Sequence, residues 1–345
     1  MTTLSKNVMQ HRKVLKETGL AFAKSIPLVG PHIEAAEKMF TLFSEINATT
    51  CRDRFNRYIM GIGEICDDEV DISREHFSAL VKKLVLDDED KKTEYYIRLT
   101  VSLARSSLND DEKLFFIHIL SGLTCFDIEY ARKLYITTNS PIRGFKSAAT
   151  AQVDLTSQKN GLYLRSLNKL ISSGLIYEAI NTHPERNRLF HFTEELETLL
   201  GYLFNRDDML PASLGMETKK SYDVVLIEKD EPFDEFCRKR IYSELEASGY
   251  CVHIAKNEDA ISDIIASCYV STRTGNGLDD TPYGVIELFE HSNASSDGFK
   301  GYRHSETFDP NNLKITSDGS IDSEELATAI DRIVAYVRHL LPVSI

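Results

Sequence analysis

The chain has 345 residues, 42% of them hydrophobic and 27% charged, with 40 Lys and Arg against 53 Asp and Glu for a net charge of −13. Such ordinary globular usage excludes a largely disordered chain, and the length suits about two domains that bury their own cores. An acidic chain lacks the Lys and Arg excess that phosphate backbones demand, no run of 18 apolar residues exists to span a bilayer, and Met1 to Lys6 lacks the apolar core of a secretory leader. A cytoplasmic location without a membrane span is therefore expected.

The first region, residues 1–138, reads as helices. Asn7 to Ala23 is basic and amphipathic, the Pro27 to Pro31 stretch punctuates it, and His32 to Asn47 resumes helical spacing. Further helices are expected at Cys51–Cys66, Arg74–Val85, Lys91–Ser107, Asp110–Gly122 and Cys125–Tyr135. Asp71, Ser73, Asn109 and Asp110 stand where caps belong. The acidic run from Asp87 to Asp90 has no calcium-loop spacing and reads as a solvated turn.

Residues 139–204 begin with a Ser, Thr and Ala-rich stretch to Gln158 that reads as a loop. An amphipathic helix from Leu162 follows and is stopped near Gly174. A two-stranded wing comes next, at Tyr177–Ile180 and Leu189–Phe192. A helix capped by Thr193 closes the region. This stretch resembles a winged-helix unit. Its would-be recognition helix, the one from Leu162, offers only Arg165 and Lys169, so packing or dimerisation is expected of it in place of sequence-specific DNA binding. The preceding segment, DEKLFFIHILSGLTCFDIEYARKLY, resembles the helical region of Abi-alpha-type abortive-infection proteins.

Residues 205–220 read as a linker. The last domain, 221–345, opens with the apolar run Tyr222 to Glu228, a buried-strand pattern. A helix over Asp234–Ser248, a strand over Tyr250–Ile254, a helix over Asp259–Ala266 and a strand over Cys268–Ser271 follow. This alternation predicts a doubly wound, flavodoxin-like parallel sheet whose ligands gather at the carboxyl ends of its strands. The polar stretch Ser292–Asn312 shows no apolar fourth strand, and a final helix is expected over Glu324–Leu341.

Two segments carry a family likeness. YDVVLIEKDEPFDEFCRKRIYSELEASGYCVHI resembles the opening of TIR domains, and TPYGVIELFEH resembles their Trp-Cys-x-x-Glu-Leu motif. The second also resembles nucleoside deoxyribosyltransferase-like domains. Glu228-Lys229 stands where TIR domains have Ser-Tyr. The likeness implies an N-glycosidic hydrolase acting on NAD⁺ as substrate, with no resident cofactor. Glu287 would be the catalytic carboxylate on a helix after the third strand, and Tyr283, one helical turn earlier, would stack on a base. Separately, the glycine-bearing loop Thr272–Gly277 after a strand would let Arg273 contact a phosphate; on the likeness, Phe233 would form a second aromatic wall and Asp230 would hold a ribose hydroxyl. The likeness further implies a prokaryotic anti-phage effector that works as a homo-oligomer and waits for an activating partner or phage trigger. The alternatives are a non-enzymatic TIR-like scaffold signalling by association, and a winged-helix regulator with a ligand-binding C-terminal domain. The ten histidines and six cysteines show no ligand spacing, so no metal site is expected.

Overall fold

The computed structural model describes residues 51–65, 72–179, 188–229, 233–256, 261–276, 282–292, 299–315 and 321–341. The helices expected at Asn7–Ala23 and His32–Asn47, and the cap expected at Asp71, lie outside these residues. The chain divides into two compact units: Met1–Lys133, Lys159–Ile180 and Phe190–Met209 form one, and Leu134–Gln158, Asn181–Leu189 and Leu210–Ile345 the other.

In chain order the helical elements begin with α1 (51–65), α2 (Arg74–Leu86), α3 (Thr93–Arg105), α4 (Asp110–Gly122) and α5 (Cys125–Asn139). Local chemistry sets their starts. The Ser73 side chain accepts from the His76 amide, and Asn109 with Glu112 forms a reciprocal capping box at α4. Packing sets their faces: His76, Phe77, Leu80, Val81, Leu84 and Val85 are the buried stripe of α2, which meets α3 and α4.

The acidic turn after α2 is not simply solvated. The Asp87 carboxylate receives the Lys92 ammonium at 2.6 Å and the Tyr96 hydroxyl at 3.0 Å, and the Lys92 side chain is buried. Arg54 donates to the Leu84 and Asp87 carbonyls, so its guanidinium satisfies the open end of α2. Asp90 pairs with Arg54 and Arg57, whose hydrogen bonds and charge hold its carboxyl below the usual carboxylate range.

The Ser, Thr and Ala-rich stretch expected as a loop contains a helix, α6 (Ala148–Thr156), started by a Ser147–Thr150 capping box. After it come α7 (Gly161–Ser172), the antiparallel pair β1 (Ile176–Glu178) and β2 (Phe190–Phe192), and α8 (Glu194–Leu203) with Thr193 as cap. Helix α7 exposes Leu162, Leu164 and Ile171 as well as Arg165. Among the described residues no single helix is long and apolar enough to cross a membrane.

The second unit is built on a five-stranded sheet of order β4-β3-β5-β6-β7. Its strands are β3 (Lys220–Ile227), β4 (Val252–Ala255), β5 (Ile264–Asn276), β6 (Pro282–His291) and β7 (Phe299–Phe308). The first three are mutually parallel, β6 pairs antiparallel with β5, and β7 pairs antiparallel with β6. The sheet is thus mixed, where the sequence rhythm predicted a wholly parallel one. Three expectations change with it. Residues 261–263 form a turn leading straight into β5 in place of a helix to Ala266, PYGVIELFEH is a strand, and the polar stretch after His291 supplies β7.

Helix α9 (Asp234–Ala247) and the final helix α10 (Glu324–Leu340) cover one face, packing Phe233, Cys237, Ile241, Ile330 and Val334 on Val224, Leu226, Val270, Ile286 and Leu288. Side chains alternate along strands, so Val225, Ile227 and Tyr269 point to the other face, where Ile261 packs on them. A short antiparallel pair, β8 (Lys314–Ile315) and β9 (Ile321–Asp322), precedes α10.

The segment before α6 straps onto the amino end of β3. Lys219 and Pro141 are joined at 2.8 Å, as are Arg143 and Glu217, while the Gly144 amide donates to the Ser262 carbonyl at 2.7 Å. The buried Lys219 ammonium donates to the Ile261 carbonyl at 2.6 Å and the Lys146 carbonyl at 3.0 Å. Burial pulls its pKa from 10.5 down to about 8. Below pH 8 folded and unfolded chains both hold this proton; from about 8 towards 10.5 only the unfolded chain does. Stability relative to a Lys219→Met variant should therefore rise across that window, as urea titrations of both proteins at stepped pH will show, whereas parallel pH profiles would refute it.

Gly284 has a different constraint: a Cβ there would lie 2.3 Å from the Phe308 ring, itself buried and edge-on to Phe233. Gly284→Ala should cost about 1–3 kcal/mol by overpacking, whereas Gly201→Ala, in open space on α8, should be neutral or stabilising. Thermal melts of the two variants distinguish them, and equal melting temperatures would contradict the packing.

Candidate functional site

The carboxyl ends of β3 and β4 fall level with each other and with the middle of β5: Ile227 registers with Ala255 on one side and Ser271 on the other. Beyond that level β5 continues to Asn276 with only β6 among the named strands beside it. The chain leaves β3 through α9 on one face, and returns from β4 with Ile261 packed on the opposite face. Connections that part to opposite faces leave a crevice at the strands' carboxyl ends, the position where open α/β sheets bind ligands.

Polar side chains gather there in two sets, one per face. On the α9 face, Asp234 is fully buried and opens the helix, where a carboxylate complements the helix dipole. It accepts from Arg238 Nε at 2.6 Å, from the Lys229 amide at 3.1 Å and from the Thr272 hydroxyl. Arg238 Nη2 then donates to Glu228 at 3.0 Å. The network ties the end of β3, the start of α9 and β5 together.

On the other face, Glu287 registers beside Ser271 and is 8% exposed. Arg273, two residues along β5, donates Nη2 to Glu287 Oε1 at 2.8 Å. The Arg273 side chain is 53% exposed and that of Glu287 only 10%.

The sequence-derived site residues do not all meet. Glu287 and Arg273 do. Phe233 lies on the opposite face, 2% exposed, with its ring 4.9 Å from Phe308 in the core, so it is a packing residue and no aromatic wall for Glu287. Tyr283 shares the face of Glu287, but four residues of strand separate them by about 13 Å, where a helix would have stacked them. Its ring lies against Gly275, where a Cβ would sit 2.8 Å from the Tyr283 hydroxyl. Asp230 lies outside the described residues. Sequence reasoning missed Asp234, Arg238, Thr272 and Ser271. The i, i+4 spacing of Asp234 and Arg238 on one helix was the available signal.

Among the described residues no group of three His, Cys, Asp or Glu side chains is placed to hold a metal ion. A cavity of about 520 Å³ opens elsewhere, on the α10 face, lined by Glu306, Glu324, Glu325, Thr328 and Arg332. Arg332 already pairs with Glu306 there at 3.2 Å. No family model matches the chain, and neither does any curated protein or solved structure.

The Asp234 network predicts its own test. Asp234→Asn leaves Arg238 short of its buried countercharge and should cost about 3–5 kcal/mol, the usual penalty for splitting a buried pair. Thr272→Val removes one hydroxyl and should cost about 1–3 kcal/mol. Urea unfolding measures both. An Asp234→Asn protein as stable as its parent would show that the network anchors nothing.

Proposed function

We propose that the second unit is a TIR-like domain that cleaves the N-glycosidic bond of NAD⁺ or a related nucleotide, with Glu287 as the carboxylate facing the sugar. On this reading the chain is a prokaryotic anti-phage effector whose helical first unit senses or assembles and thereby switches the second unit on. The observation that carries the proposal is the place of Glu287: a nearly buried carboxylate on β6, registered beside Ser271 at the level where β3 ends.

The chemistry suits that place. The C–N bond breaks with its electron pair leaving on the base, so a cationic nicotinamide departs neutral and the positive charge passes to the ribosyl carbon and ring oxygen. A carboxylate shielded from water stabilises that charge more strongly than an exposed one. Water then adds to the sugar and gives up a proton. The ion pair with Arg273 favours a second reading, a non-enzymatic scaffold in which the pair is only structural.

Glu287→Gln keeps the side chain's size and removes its charge. It should lower nicotinamide release from NAD⁺ by about 10²–10³, the typical cost of losing one such electrostatic partner. Glu290 registers with Cys268, on the α9 face, and Glu290→Gln is the matched control that should behave as the parent. Concentrated full-length protein under crowding, assayed by nicotinamide release, and toxicity in cells are the two readouts. A Glu287→Gln protein with undiminished release or toxicity would remove the catalytic assignment and leave the scaffold.

A further inference from the structure

The Arg273–Glu287 pair joins two charges in unlike surroundings. The guanidinium is half in solvent, and the carboxylate is nearly out of it. That asymmetry sets what each partner loses if the pair opens. A buried charge deprived of its countercharge is costly, while an exposed one is re-solvated by water. Opening the pair is therefore cheap for Arg273 and expensive for Glu287. A ligand enters at low cost only if it brings a cation to Glu287, and it gains further if it also brings an anion to Arg273.

We infer that the pair is a template for a zwitterionic ligand, a nucleotide carrying a cationic base and a phosphate, which replaces both partners at once. The cationic ring and the developing ribosyl charge take the place of Arg273 against Glu287. The phosphate takes the place of Glu287 against Arg273, whose planar fork suits it. The inference rests on the carboxyl edge being the ligand site. It adds that Arg273 is a specificity residue, and that the pair holds the site closed to neutral and purely anionic molecules.

The consequence is an order of affinities. Nicotinamide mononucleotide, with both charges, should bind best. Nicotinamide riboside, with the cation alone, takes Glu287 and offers the exposed Arg273 no anion in exchange, so it should be weaker by about tenfold, the worth of one charge-assisted contact. Ribose 5-phosphate, with the anion alone, would draw Arg273 away and strand Glu287, so it should bind worst.

Calorimetric titration of the full-length protein with these three probes, checked for intact ligand afterwards, tests the inference. Glu287→Gln should shift two probes in opposite directions. Ribose 5-phosphate should gain about tenfold, because Arg273 is released from its carboxylate, and nicotinamide riboside should weaken. Arg273→Met should bring the mononucleotide and the riboside close to parity, and Arg273→Lys should restore part of the preference. A variant that merely unsettles the fold would move all probes the same way. Uniform shifts, an unchanged ribose 5-phosphate affinity in Glu287→Gln, or a mononucleotide preference that survives Arg273→Met would each overturn the inference. Nicotinamide release without this order of affinities sinks the template and leaves the catalytic reading. The order without release supports the template, and catalysis is then decided by the Glu287→Gln comparison under crowding and in cells.

Discussion

Strand β5 is the constraint on which the second unit depends. Its thirteen residues are hydrogen-bonded parallel to β3 along one edge and antiparallel to β6 along the other. Where β3 stops at Ile227, β5 continues, so its outer third has lost one neighbour and kept the other. Apolar residues Cys268, Tyr269 and Val270 lie inside the paired region, and the polar series Ser271, Thr272, Arg273 begins at its end. The sequence thus changes character at the residue where the sheet does. The same pleat that sends Val270 into the helix-covered core sends Thr272 to Asp234, and the pleat that buries Tyr269 on the other face brings Arg273 to Glu287.

Where the fold's determinants are local, they were readable. Ser73, Asn109 and Thr193 cap their helices through side-chain contacts three residues on, and Gly174, past the end of α7, has φ of 70°, a conformation only glycine adopts cheaply. Where the determinant is a partner far along the chain, reading failed. Within PYGVIELFEH the apolar run from Tyr283 to Phe289 is interrupted by one acid, Glu287, and its spacing satisfies a helix or a buried strand equally well. Its true partners, β5 and β7, decide for strand. Strand β7 was invisible for a related reason. Lying at the sheet edge, it exposes Ser305 and Thr307 and buries Phe308, so it never offers the apolar run of a central strand.

The candidate site shows the same division. Glu287 was reached through a motif likeness that assumed a helix, and it lies at the carboxyl edge all the same, because strand register with Ser271 carries it there. Tyr283 and Phe233 were tied to it by helical spacing and loop proximity. A strand stretches the first separation about twofold and the sheet puts its own thickness into the second. Asp234 was seen only as the first residue of a helix, since nothing in the sequence announces the Thr272 hydroxyl, 38 positions away, that completes its shell.

The two polar sets at the carboxyl edge therefore do different work. Asp234 is fully enclosed and its carboxylate oxygens already accept three hydrogen bonds, so opening that network would strand a buried charge. It fixes the end of β3 and the start of α9 relative to β5. The Glu287 carboxylate is held against a cation whose own side chain is half in water, so the pair separates at lower cost on one side than the other. A rigid anchor on one face and an exchangeable ion pair on the other, fixed by adjacent residues of a single strand, give this edge both a defined geometry and charges that a ligand can exchange for its own.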